Sequence, residues 1–307
     1  MEAIKQLITA ELEKSLYPKN EFYKSSKVDA GGDADVETVT VGQAGTGAEV
    51  IENPAPGDFP LAISDRTDDV KTYPVDLIAT KPTKVTWNNQ LLVSYDKRQD
   101  VIDDHRRVIN TRVADKIAYN WMPTEAANIV RTSGDPILAK LTGATGNRKA
   151  FKIEDWIEAL RVLNNMDLMD ENYQALVSAN FLAEIRNAGI KEFLGSDKLS
   201  TALLEKGAVA SLLGVPIWTR SRVCRFDNAG TPVKKIYTAA NAATDNDSCL
   251  IWHPRMVRRA EGKLKPFANI DEPTLLGSYF NGAVRAGGTT SRLDQAGVVA
   301  IVQAAAA

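Results

Sequence analysis

A chain of 307 residues is long enough for about two domains, each with a core of its own, and 44% hydrophobic with 25% charged residues is ordinary globular composition. Its formal net charge of -2 argues against a specific nucleic-acid reader, which needs a basic surface to displace counterions from phosphates. Two cysteines, Cys224 and Cys249, cannot cross-link a chain of this size and match no zinc-site spacing, so they read as small buried hydrophobes.

The first segment, "MEAIKQLITAELEKSLYPKN", places Ile4, Ile8, Leu12 and Leu16 four residues apart with Leu7 beside them, an apolar stripe on a helix that Pro18 ends. Its early acids and polar interruptions are unlike a signal peptide, and no apolar run nears the roughly 20 residues that span a bilayer. A soluble chain, intracellular when made, is expected. The stripe must dock on its own domain or on a neighbouring chain. From Lys19 to about Phe59 the pattern weakens to an extended arm with a short hairpin, in which Val39 and Val41 face one way.

Tyr73, Val75 and Leu77 then alternate with polar residues, as do Val85 and Trp87, which predicts a ribbon. Pro74 and Pro82 lack the ladder donor and put these strands at a sheet edge. An isolated ribbon is barely stable, so this one should lie over another surface, in this chain or in another. A long helix follows from Ser94, a candidate N-cap, to Trp121, with Pro123 beyond it. Ile102, His105, Ile109, Val113, Ile117 and Trp121 recur at helical spacing and predict one buried stripe. Asp103, Asp104, Arg106, Arg107, Arg112, Asp115 and Lys116 fall on the other faces, either as a solvated back or as ion-pair partners for neighbouring copies. Such a helix is about 40 Å long at 1.5 Å per residue.

Beyond it helices and strands alternate. Ile153, Trp156, Ile157, Leu160 and Leu163 share a helical face, and "NYQALVSAN" reads as a strand entering the helix "FLAEIRNAG". "GVPIWTRSRV", "VKKIYTAAN" and "SCLIWHP" predict strands, the first delivering Val215, Ile217 and Trp218 into a core after the turn at Gly214 and Pro216. The tail, "TLLGSYFNGAVRAGG" and "QAGVVAIVQA", predicts strands of a sheet against the long helix.

Catalytic signatures are missing. "GATGNRK" lacks the Lys-Ser/Thr of a phosphate loop, and neither G-x-S-x-G nor H-E-x-x-H occurs. "DNDS" at Asp245 to Ser248 begins like a calcium loop but lacks the central glycine and has Met256 at the twelfth position. His105 and His253 read as structural histidines. No catalytic residue, cofactor or metal site is assigned, and no enzymatic activity is expected.

An arm, a ribbon "TYPVDLIATKPTKVT" leading into the helix "LLVSYDKRQDVIDDHRRVINTRVADKIAYNW", and an α+β domain carrying "GVPIWTRSRV" between helix and closing strands together resemble the major capsid protein of tailed bacteriophages. The resemblance implies the α+β Hong Kong 97-type fold. It divides the chain into an N-terminal helix and arm (1–59), an extended loop (60–89), a peripheral domain with the spine helix (90–150 and 263–307) and an axial domain (151–262). It further implies hexamers and pentamers of this chain forming an icosahedral shell around double-stranded DNA, built in the host bacterial cytoplasm and found in the virion. Tyr73, Val75 and Leu77 on the ribbon and Asp104, Arg107 and Arg112 on the spine are the expected inter-subunit contacts. Expected partners are other copies of the chain, portal protein, a separate scaffold or decoration protein, and packaged DNA through non-specific contact, with no membrane. An encapsulin-like compartment shares the fold and stays open as an alternative, as does a two-domain cytosolic enzyme.

Overall fold

The computed structural model describes residues 20–30, 36–45, 50–53, 55, 61, 68–86, 97–168, 170, 172–193, 211–274 and 276–306. The apolar stripe of the first 16 residues, Trp87, and the capping of the long helix by Ser94 lie outside them. In chain order, a short 3-10 turn (Glu21–Ser25) leads into β1 (Lys27–Ala30), β2 (Thr38–Gln43), β3 (Asp69–Pro74), β4 (Asp76–Ala79) and β5 (Thr83–Thr86), then helix α1 (Lys97–Trp121). Next come β6 (Ile129–Arg131), β7 (Pro136–Leu138), β8 (Asn147–Lys149), α2 (Ile153–Asn164), β9 (Gln174–Ser178) and α3 (Ala179–Phe193). The remainder is β10 (Ser211–Leu212), β11 (Val215–Arg220), β12 (Arg225–Phe226), β13 (Lys234–Lys235), β14 (Ser248–Trp252), β15 (Val257–Glu261), β16 (Lys265–Glu272), β17 (Gly277–Thr290) and β18 (Val298–Val302).

The first sheet is organised around β17, the longest strand. Along one edge run β15 and β16 in succession, Val257 opposite Thr290 and Lys265 opposite Ala283, with β1 parallel to β15 outside them. Along the other edge run β4 and β5, Asp76 opposite Ala286 and Thr86 opposite Gly277. The ribbon of the sequence reading is therefore not two strands paired with each other. It is one extended stretch at a sheet edge, as its prolines require, and Pro82 falls in the break between β4 and β5. The break is held by Thr80, whose amide donates to the Gly282 carbonyl at 3.0 Å. The arm's short alternating run also finds its partner far away, since β2 pairs antiparallel with β3 from Thr38 opposite Pro74 to Gln43 opposite Asp69.

Close approach is built into β17. A Cβ on Gly287 would stand 2.4 Å from the Pro74 carbonyl oxygen, and one on Gly277 would stand 2.4 Å from that of Val85. Both neighbours are backbone and cannot rotate away. Gly287→Ala is expected to destabilise the chain by about 1–3 kcal/mol through overpacking, read as a lower urea midpoint at unchanged slope; an unchanged midpoint would mean the edge strands shift freely.

Helix α1 lies on this sheet. Ile109, Val113, Ile117 and Trp121 are buried against Phe280, Val284 and Ala286 of β17, while His105 is only half-buried. Trp121 also donates its indole N–H to the Arg258 carbonyl at 3.0 Å, which joins the helix end to β15.

The second sheet has the order β10-β11-β9-β14-β18-β6. Its central strands are covered on both faces. Leu176, Leu250, Trp252, Val298, Ala300 and Val302 join the α1 core, with Phe22 wedged beside Trp121 and Trp252. Ala175, Val177, Cys249, Ile251, Val299 and Ile301 face Trp156, Leu163, Phe181 and Ile185 of α2 and α3. The closing strand β18 therefore belongs to this sheet rather than to the one carrying β17, and β15 to the first sheet rather than the second. "VVAIV" is apolar at every position because both faces of that strand are buried.

Two side chains depart from the expected core. Ile157 is exposed, because α2 turns Trp156, Ala159 and Leu163 inward and carries Ile157 to the rim. Trp218 is half-buried: strand alternation sends Val215 and Ile217 into the α2–α3 core and Trp218 to the opposite face, where its N–H donates to Gln174 Oε1 at 3.3 Å. Cys224 and Cys249 are free and buried as expected, and burial pushes the Cys224 thiol up to about 12. His253 caps the following turn, its Nδ1 accepting from the Arg255 amide at 3.2 Å, and its Nε2 pairs with Asp170.

Candidate assembly surfaces

Of the three ribbon residues, two are covered by the chain itself. Tyr73 and Val75 are buried with Val41 and Ala260, and the Tyr73 hydroxyl donates to Asp29 Oδ2 at 2.9 Å. Burial and that bond raise the Tyr73 pKa. Leu77, 60% exposed, is left facing outward because the register of β4 turns Ile78 toward α1 instead. Further apolar surface lies between β2 and β3, where Val50 is 84% exposed and Ile51 and Leu61 are open as well, and on β3 itself at Val70. The alternation of the ribbon marked an apolar face; only the pairing of β3 with β2 decides which neighbour covers it.

On the spine, Asp104 and Arg107 pair with each other across one turn and are both exposed. Arg112 is half-buried, its guanidinium 5.2 Å above the Tyr237 ring, so its charge already has an aromatic partner. Other charged residues expected on a solvated back are instead buried. Arg106 pairs with Asp103, and Lys116 pairs with Asp76 of β4, binding the ribbon to the spine. Asp115 accepts from Arg220 at 2.9 Å and from Arg222 at 3.0 Å, which ties α1 to the end of β11. Burial depresses the Arg220 pKa, and Asp115 opposes that shift.

Sequence reasoning passed over Lys234. Its ammonium donates to the Tyr119 and Met122 carbonyls at 3.1 and 2.8 Å, closing the negative end of α1, and lies 4.8 Å over the Tyr119 ring. The last turn of α1 carries no basic residue of its own, which was the available signal that a cation must come from elsewhere. Asp245, the first residue of the calcium-like stretch, is occupied by Lys235 at 2.6 Å and Arg225 at 3.2 Å, so its charge is met by the chain. No group of three metal-ligating side chains occurs among the described residues, and no described helix is long and apolar enough to cross a membrane.

Among the described residues of the spine, Asp104 and Arg107 form an ion pair in which both side chains are largely exposed. Changing both to alanine is expected to alter fold stability by about 0–1 kcal/mol; should the pair contact a neighbouring copy, self-association weakens as well. Thermal melts and light scattering of the double variant check this; normal assembly would assign the pair to solvation alone.

No family model matches the sequence, and no curated protein matches it. Solved structures do match, along nearly the whole chain. A capsid of Ralstonia phage GP4 is similar with a TM-score of 0.63 at 10% identity, covering 92% of this chain and 88% of that one. A capsid of cyanophage P-SCSP1u gives 0.60 at 14%, over 95% and 89%. A virus-like particle from Pyrococcus furiosus gives 0.53 at 10%, over 97% and 99%. The chain has the Hong Kong 97-type capsid fold, with a spine helix packed on a sheet, as the sequence predicts.

Proposed function

We propose that this chain is the major capsid protein of a tailed-phage-like icosahedral shell, a structural protein that assembles with copies of itself. The observation that carries the reading is the similarity to phage capsids over 92–95% of this chain and 88–89% of theirs. The arrangement of surfaces fits it: the core, the buried ion pairs and β17 tie the chain together, while Leu77, Val50, Ile51 and Leu61 are exposed apolar groups. In this reading the connection between β2 and β3 reaches over an adjacent copy. Hexamers and pentamers close around double-stranded DNA, and the portal and a scaffold or decoration protein complete the particle. Many copies of a modest contact add up to a durable shell.

Similarity over 97% of this chain to the Pyrococcus furiosus virus-like particle supports a second reading, an encapsulin-like compartment. Electron microscopy of the concentrated full chain, with ultraviolet absorbance of the particles, separates the two. Closed particles able to take up DNA with a portal support the phage reading, particles that enclose protein support the compartment, and a monomer under every salt and protein concentration overturns both.

A further inference from the structure

We propose that the face of β4, β5 and β16 turned away from α1 is the seat for residues 44–68 of a second copy, drawn there by opposite charge and held by apolar contact. Phe280, Val284 and Ala286 of β17 face α1, so the alternating Tyr279, Asn281, Ala283 and Arg285 face the other way. Register carries the neighbouring strands with them. Leu77 lies opposite Arg285, Ala79 and Lys265 flank Ala283, Phe267 lies opposite Asn281, and Lys84 lies opposite Tyr279. Leu77, Ala79, Lys84, Lys265 and Phe267 are all exposed, Phe267 at 54%. At the other end of the same face Val41, Tyr73 and Val75 close over Ala260, which stands opposite Gly287.

The open part is basic. Lys84, Lys265 and Arg285 lie on it, and the exposed Lys81 and Lys263 border it in the breaks before β5 and β16. Two described acids adjoin it. Glu37 stands 3.6 Å from Arg285, and Glu272, at the far end, accepts from Asn269 and Thr274 at 2.7 and 3.0 Å. Residues 44–68 have the opposite character: Glu49, Glu52, Asp58, Asp65 and Asp68 stand against the one base Arg66, with Val50, Ile51, Phe59, Leu61 and Ile63 among them. Asp68 is committed to the root of the connection, where its Oδ1 accepts from the Gly45 amide at 2.9 Å. Val50, Ile51, Glu52 and Leu61 are exposed, so their own subunit leaves them uncovered. Complementary potentials of this kind steer two surfaces together and fix their register.

The direction of the β2–β3 pair sends the segment to another copy rather than to its own sheet face. Lys71 Nζ donates to Thr290 Oγ1 at 2.6 Å and to the Arg292 carbonyl at 2.7 Å, and Gln43 Oε1 accepts from the Leu293 amide at 2.8 Å. The pair therefore runs off past the C-terminal end of β17, whereas the open face lies along the N-terminal half of that strand, with Ala283 about 23 Å from Thr290 at 3.3 Å per residue. Segment and seat at opposite ends of one strand make the contact head-to-tail. Such a contact repeats from copy to copy and closes into a ring when the rotation allows. The inference rests on the capsid reading above and adds where the connection lands and what attracts it.

Cross-linking between full-length chains tests it. Copies carrying Val50→Cys are mixed with differently tagged copies carrying Ala79→Cys under a mild oxidant, and mixed disulfide dimers are identified by mass spectrometry; the native thiols are buried. The mixed product should dominate. It should fall with ionic strength between about 0.05 M and about 0.5 M, and by about tenfold when Lys84→Glu and Lys265→Glu are added to the Ala79→Cys copy. Glu49→Lys with Glu52→Lys on the other copy should restore it. Oligomers that form without the mixed product, or a yield indifferent to the lysine changes, overturn the seat and leave the capsid reading standing. A chain carrying both cysteines that cross-links only within itself overturns the seat as well. A monomer with no cross-link at every salt and protein concentration overturns both readings. Should the lysine variant not fold, Glu49→Lys with Glu52→Lys alone applies the same test from the segment side, with the same loss expected.

Discussion

Asp115→Ala is expected to lower the stability of the chain by about 3–5 kcal/mol, the loss typical when one partner of a buried ion pair is removed. Asp115 and Arg220 side chains are 5% and 9% exposed, and Arg220 also lies 5.8 Å over the Phe22 ring at the centre of the aromatic cluster. Without the carboxylate, a guanidinium already disfavoured by burial is left in that cluster with no counter-charge. Arg222→Ala is the control. Arg222 is largely exposed, so its loss should be within about 0–1 kcal/mol. Urea unfolding of both variants at low protein concentration checks the pair. A loss below about 1 kcal/mol for Asp115→Ala would mean that water screens the site.

Replacing residues 44–68 by a two-residue Asn-Gly turn is expected to leave the fold intact and to abolish shell closure. The β2–β3 ladder ends with Gln43 opposite Asp69, so the ends of the connection are already neighbours, and a tight type I′ turn suits the twist of such a pair. Shortening a flexible connection changes loop entropy little, about 0.6 kcal/mol per halving. Removed with it are the exposed Val50, Ile51 and Leu61. A wider cut over 66–86 differs in kind. It deletes β3, β4 and β5, takes Tyr73, Val75 and Val85 out of the core and strips one edge of β17, so loss of the fold is the expected outcome. Circular dichroism reports the fold and electron microscopy the particles. Closed shells of normal size from the 44–68 variant would reduce that connection to decoration.

What was legible in the sequence was whatever depends on local period and on prolines. The α1 stripe from Ile102 to Trp121, the entry of β9 into α3, the edge position of the strands around Pro74 and Pro82, and the two buried thiols all follow from neighbours along the chain. The order of those pieces was also enough to suggest the fold. Pairing across long separations was not legible, because alternation says that a strand has an apolar face but not what covers it. Hence Tyr73 and Val75 read equally well as contacts for a neighbour, until β2 and β15 close over them. Charge has the same ambiguity. Asp115 and Lys116 sit among acids and bases that look solvated on a helical wheel, and only the approach of β4 and of the end of β11 buries them with their partners. Tertiary structure likewise assigned β18 to the second sheet and brought Gln303 against the Asp247 backbone and the Glu184 carboxylate, since such contacts exist only once segments far apart in the sequence have met.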